Sequence, residues 1–140
     1  MVKPVIKYSK KDETFIRKYV YSDEESVAAI TGRTVEEQHK IACACENNLY
    51  IFTNGNNEII GSVVLREKDD TLDVVELFIK KELRRSENGS KFLDEIEKMA
   101  ADEGFARITI PEGDNWHTRT FCYRRGYTKS AVQGEMEKIL

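Results

Sequence analysis

The sequence predicts an α+β domain built on a mixed central sheet, in which an antiparallel meander joins a parallel β-α-β crossover and helices flank the sheet. Three observations carry this. Residues 48–67, NLYIFTNGNNEIIGSVVLRE, are two β-rich runs around Asn54-Gly55, a dipeptide that accepts the positive φ angles of a tight turn. The KDDT turn at 68–71 leads into LDVVELFIKK, which completes three antiparallel strands. The helix-patterned KFLDEIEKMAADEG and then ARITI follow. Strand, helix and strand in that order form a crossover, so ARITI should lie parallel to LDVVELFI.

The remaining elements are placed by their periodicity. VIKYS at 5–9 reads as a first strand. Residues 12–31 read as helical with a break near Ser22-Asp23, because Phe15, Ile16, Tyr19 and Val20 recur at helical spacing. Gly32 can end this helix, and Thr34 can cap the next, TVEEQHKIACACE, with Glu37 completing a capping box three residues on. In the crossover helix Phe92, Leu93, Ile96, Met99 and Ala100 form one apolar stripe ended by Gly104. Residues 115–125 read as a short helix ended by Gly126, and 127–139 have room for a final strand or hairpin. Without a repeat or linker, residues 1–140 read as a single domain.

Composition narrows the function classes. The chain has 140 residues, 40% of them hydrophobic and 34% charged, enough for a real core without staples. A formal net charge of -3 argues against nucleic acid or other polyanions as partners and suits a small cationic substrate. Lys80-Lys81 and Arg124-Arg125 then read as a solvated face, with no aromatic platform for single-stranded nucleic acid beside them. No apolar run approaches the ~20 residues that cross a bilayer, and the first residues lack the apolar core of a secretory signal. A cytoplasmic location is expected, with no membrane partner. Cys43, Cys45 and Cys122 cannot all pair and read as reduced thiols. His39 and Cys43 share a helical face, but no fourth ligand accompanies them and no metal is expected. His117 reads as a surface or cofactor-edge residue.

The stretch LRRSENGSKFL, at the junction of LDVVELFI with the crossover helix, is where chemistry is expected. A helix starting near residue 87 offers unpaired backbone N–H groups and a positive dipole end, a ready anion site. Arg84 and Arg85 add phosphate-type donors, and Gly89 allows close approach of backbone and ligand. The two-glycine-plus-lysine pattern of triphosphate loops is absent. The alternative is structural: Ser86 caps the helix and Glu87 complements its dipole with no ligand present.

The order β-α-α-β-β-β-α-β-α-β resembles the GNAT N-acetyltransferase superfamily. That family's cofactor loop, Arg/Gln-x-x-Gly-x-Gly/Ala, is matched by Arg84, Gly89 and the spacing between them, while Glu87 occupies the first glycine position. Its later signature is similar to Asn115, Phe121, Gly126 and Tyr127, and GEMEKIL resembles its last strand. The resemblance implies transfer of an acetyl group from acetyl-CoA to an amine of a small molecule or peptide. It implies that Arg84, Arg85, Ser86, Glu87, Asn88, Gly89 and Ser90 surround the pyrophosphate, with Asn115 also cofactor-binding. It implies further that backbone groups of Leu77, Phe78 and Ile79 hold the pantetheine arm.

Two side chains are candidates for acid–base work. Glu76 is the only carboxylate in VVELFI, and a buried carboxylate needs a partner or a purpose. It reads either as a base acting through water or as a structural ion pair. Tyr123 is the candidate proton donor for the departing thiolate, although Cys122 stands at the spacing where the family carries its tyrosine; Tyr127 reads as core. The acidic Asp23-Glu24-Glu25 falls where the family builds its substrate wall, and reads either as a cation site or as an exposed turn. A GNAT-fold module that binds CoA without efficient catalysis is the alternative function. A homodimer paired through the C-terminal strand is also compatible with the sequence.

Overall fold

A computed structural model describes residues 13–83, 88–112 and 121–140. The strand expected at 5–9, the junction residues Arg84, Arg85, Ser86 and Glu87, and Asn115 and His117 lie outside the described residues.

The chain runs β1 (Thr14–Lys18), a 3-10 turn (Tyr21–Asp23), α1 (Glu24–Thr31), α2 (Val35–Cys43), β2 (Asn48–Asn54), β3 (Ile59–Lys68) and β4 (Thr71–Ile79). After a second 3-10 turn (Lys81–Leu83) come α3 (Asn88–Asp102), β5 (Arg107–Pro111), β6 (Thr128–Lys129) and β7 (Glu135–Ile139); residues 121–124 are also helical. The seven strands form one sheet in the order β1-β2-β3-β4-β5-β7-β6. Each neighbouring pair from β1 to β4 is antiparallel, and β5 lies parallel to β4, as the crossover requires.

One element differs from the sequence reading. Residues 14–18 are a strand paired with β2, from Thr14 opposite Asn54 to Lys18 opposite Tyr50, and not the start of a helix. The apolar spacing there fits either period, and the open edge of β2 decides it: pairing satisfies backbone groups that a short isolated helix would satisfy poorly. The helix begins only after Asp23, where Gly32 ends α1 in the left-handed conformation at φ 73°. Thr34 caps α2 as expected: its Oγ1 accepts from the Glu37 N–H at 3.1 Å, and Glu37 Oε1 accepts from the Thr34 N–H at 3.1 Å.

The β2–β3 hairpin also departs in detail. Its positive φ falls at Asn57, not at Asn54-Gly55. Asn57 N–H donates to Asn54 O, and the Asn54 side chain accepts from the N–H groups of Asn56 and Glu58, at 3.0 Å each. This is a type I turn closed by a left-handed residue.

The core lies between the sheet and α3. Phe92, Leu93, Ile96 and Ala100 are fully buried against Phe52, Val63, Leu65, Val74, Ile108 and Met136. The Phe52 and Phe92 rings stack with centroids 4.1 Å apart. Each such side chain contributes roughly 1.5–3 kcal/mol by leaving water, so this stripe fixes where α3 lies on the sheet. Among the described residues no helix is long and apolar enough to cross a membrane.

Candidate active site

Of the site residues expected from the sequence, Glu76, Leu77, Phe78 and Ile79 lie on β4, Asn88, Gly89 and Ser90 open α3, and Tyr123 lies in the helical residues 121–124. The ladder between β3 and β4 slips between Val64 and Leu65, which pair with Glu76 and Val74, so Val75 is an extra residue on β4. Such a bulge twists the strand and re-aims its side chains. On the other side, β4 pairs with β5 only through Thr71, Asp73 and Leu72 between them, opposite Arg107 to Thr109. Beyond Asp73 the two strands part, while β5 continues to pair with β7 as far as Pro111.

Leu77, Phe78 and Ile79 lie on the stretch of β4 past this parting. Their backbone sits very close to β3: a Cβ at Gly61 would stand 2.7 Å from Phe78 O. The chain then turns through Lys81–Leu83 toward α3. Gly89, in the first turn of α3, faces the end of β4, where its Cβ position lies 3.3 Å from Ile79 Cδ1 and 3.7 Å from Phe121 Cζ. Parted strand, helix start and residue 121 therefore converge. A helix start of this kind directs N–H donors and positive potential outward.

Arg125 fastens residues 121–127 to α3. Its Nη1 donates to Ser90 Oγ at 2.7 Å, and its Nη2 donates to Glu97 at 3.2 Å and also to Asp94. Burial alone would lower the Arg125 pKa, but the bonds to Asp94 and Glu97 hold it above the ordinary value. Glu97 also accepts from Tyr127 Oη at 3.0 Å and from Lys138 Nζ at 3.2 Å. Only Arg124 of the basic pair belongs to a solvated face. Arg125 is built into this cluster, a correction that long-range partners on α3 explain.

The two tyrosines and the cysteine separate cleanly. Tyr127 is 1% exposed, and its hydroxyl is pushed up strongly by burial and by the Glu97 charge. Cys122 is also 1% exposed, and burial raises its thiol pKa against the pull of Arg125. Tyr123, by contrast, is 47% exposed.

Glu76 is half-buried and pairs with the guanidinium of Arg33. Arg33 follows Gly32 in the turn between α1 and α2, and its other nitrogen donates to Gln38 Oε1 at 3.2 Å, itself 1% exposed. Sequence reasoning missed Arg33. The one available signal was that a carboxylate inside an apolar strand demands a cation, which does not say which cation. The acidic Asp23-Glu24-Glu25 is neither an open cation site nor an exposed turn. Asp23 is buried and bound by both terminal nitrogens of Arg17 at 2.9 Å. Glu24 is buried against His39, and only Glu25 is exposed.

The family model for the acetyltransferase (GNAT) domain matches residues 8–140. The chain belongs to the GNAT acetyltransferase family. No curated protein matches the sequence. Among solved structures the GNAT chain is similar to the PaiA N-acetyltransferase of Thermoplasma acidophilum in complex with coenzyme A. That pair has 17% identity and a TM-score of 0.72, over 91% of this chain and 99% of that one. It is similar to a GNAT acetyltransferase of Elizabethkingia anophelis with acetyl-CoA bound, at 16% identity and a TM-score of 0.69, over 93% and 100% of the two chains. It is also similar to the ribosomal-protein-S18-alanine N-acetyltransferase of Escherichia coli, at 10% identity and a TM-score of 0.72, over 89% and 90%. At these identities the likeness is one of fold, and the mixed sheet flanked by helices is the GNAT fold. Among the described residues of this GNAT chain, no group of three or more His, Cys, Asp or Glu side chains is arranged to hold a metal ion.

Proposed function

We propose that this protein is an acyl-CoA-dependent N-acyltransferase, with acetyl-CoA as donor and a primary amine of a small molecule or peptide as acceptor. The observation that carries the reading is the parting of β4 from β5 after Asp73, beside the start of α3. A strand edge leading to a helix N-terminus suits a ligand with an amide-bearing arm and a pyrophosphate. In this reading the backbone of Leu77, Phe78 and Ile79 binds the arm. Arg84, Arg85, Ser86, Glu87, Asn88, Gly89 and Ser90 surround the pyrophosphate, and Asn115 also contacts the cofactor.

The reaction joins an amine nitrogen to the thioester carbonyl carbon and breaks the carbon–sulfur bond. The acceptor must lose a proton to expose its lone pair, and the departing thiolate gains one. Glu76 takes the first role through a water molecule, with Arg33 holding its carboxylate in place. Tyr123 takes the second with its exposed phenol. A backbone N–H of the parted strand stabilises the oxyanion between the two steps. The exposed free thiols Cys43 and Cys45 suit a reducing cytoplasm.

The test is acetyl-CoA-dependent thiol release across a panel of amines. Turnover on one or more of them, lost without acetyl-CoA, supports the reading. Binding of CoA with no turnover on any amine favours a CoA-binding module instead. One observation favours that second reading: the position where the family carries its tyrosine is a buried thiol, Cys122.

A further inference from the structure

On α2, away from the β4–α3 junction, three side chains stand in series. His39 Nδ1 lies 2.8 Å from Glu24 Oε1, and His39 Nε2 lies 3.3 Å from Cys43 Sγ. In the tautomer that carries the ring proton on Nδ1, His39 donates to the Glu24 carboxylate and presents its Nε2 lone pair to the thiol. Glu24 is 5% exposed, while Cys43 opens to solvent. Nucleophile, base and a third group orienting the base is the arrangement that activates cysteine in acyl and thiol transfer. The i, i+4 spacing on α2 supplies the first pair, and the packing of α1 on α2 supplies the third member. Beside the ring, a hollow of about 370 Å³ is lined by Tyr21, Glu24, Val35, Glu36, His39 and Lys40, with the Tyr21 ring edge-on to His39.

We propose that Cys43 is a nucleophilic thiol that takes up low-molecular-weight disulfides, with His39 as its base and Glu24 as a positioning residue. In the exchange, Cys43–SH and R–S–S–R give Cys43–S–S–R and R–SH. His39 Nε2 takes the Cys43 proton as Sγ attacks. The new S–S bond forms as the old one breaks, and the proton passes to the departing thiolate. The Cys43 sulfur is oxidised and one sulfur of the reagent is reduced, so no further oxidant is needed. Cys43 depends on His39 for this, because it ends α2, where the helix dipole disfavours a bare thiolate. The hollow beside the ring receives the organic half of the disulfide.

Cys45 serves as an internal control. It is also exposed, but its sulfur neighbours the Glu46 carboxylate at 3.7 Å rather than a base. Full-length protein is treated with excess uncharged hydroxyethyl disulfide, and adducts are timed at each cysteine by peptide mass spectrometry. Cys43 is expected to react about tenfold or more faster than Cys45, in line with the effect of a paired base on thiol reactivity. His39→Gln is expected to bring Cys43 down to the Cys45 rate, with Cys45 unchanged. Glu24→Gln is expected to slow Cys43 part of the way, with the Cys45 rate unchanged. Buried Cys122 reports on folding in the same samples, since it stays unmodified while the chain is native. Equal rates at Cys43 and Cys45, or a His39→Gln protein whose Cys43 reacts as fast as before, would overturn the proposal.

Discussion

Arg33 and Glu76, 43 residues apart in sequence, form an ion pair that joins the α1–α2 turn to the bulged strand β4. The carboxylate is 34% exposed and the guanidinium 19%, so neither is wholly out of water. Losing one partner leaves the other half-buried and unsatisfied. Arg33→Met should therefore cost about 1–2 kcal/mol of stability and Glu76→Gln less, with the double variant less damaged than the sum of the two. Urea unfolding of the four proteins measures this. Glu76→Gln should also lower turnover more than CoA affinity and alter the acidic limb of the pH–rate profile. Full activity across pH would leave Glu76 as a structural residue only.

Gly61 gives the strand beside it a steric limit. A methyl group there would meet Phe78 O at 2.7 Å, and backbone cannot swing aside as a side chain can. Gly61→Ala should lose about 1–3 kcal/mol of stability and weaken acetyl-CoA binding as β4 shifts. Calorimetric titration alongside thermal unfolding would separate these effects. Unchanged stability would show that β3 and β4 separate there at little cost.

Tyr123→Phe should reduce turnover with stability unchanged, because the phenol is half in solvent. Cys122→Ala should instead cost about 1 kcal/mol of stability through the small cavity it leaves, with little change in turnover per folded molecule. The reverse ranking would assign the proton transfer to another group.

Glu87→Gly should tighten acetyl-CoA binding several-fold at low ionic strength, with a smaller gain at high salt. The carboxylate stands in a loop expected to hold a pyrophosphate, and like-charge repulsion is screened by salt. Titrations at two salt concentrations decide it, and equal or weaker binding would place Glu87 away from the phosphates.

Asp23 gives the fold a pH dependence. Burial pushes its pKa up, but the bonds from Arg17 and from Val20 N–H outweigh this and hold it below the usual value. A carboxylate depressed on folding stabilises the protein above its unfolded pKa of about 4, and loses that contribution as pH falls through the lower folded value. Unfolding free energy should thus fall on acidification below about pH 4. Asp23→Asn should be less stable at neutral pH and show a flatter acid limb.

How much was legible in the sequence follows the range of the interactions. The Thr34–Glu37 cap, the Gly32 terminus, the apolar stripe of α3 and the parallel placement of β5 are written in spacings of a few residues or in the order of elements. Strand β1 was misread because Phe15 and Ile16 fit either period, and the edge of β2 that settles the matter is some forty residues away in the chain. Arg33, Glu24 and Arg125 were opaque for the same reason. Each finds its partner on another element, and no local pattern marks a charged residue as buried and paired.

The parting of β4 from β5 also bears on how the sheet moves. Among the described residues, the ladder joining β1–β4 to the β5–β7–β6 half has three residue pairs, whereas β3 and β4 share eight. Each half is held by longer antiparallel ladders, so slow opening should begin along the short seam between them. Amides in β4 and β5 near Asp73 and Thr109 should then exchange with solvent sooner than those of the β2–β3 ladder. A molecule lodged in the gap would act as a splint across the seam, adding to the α3 core that already spans both halves.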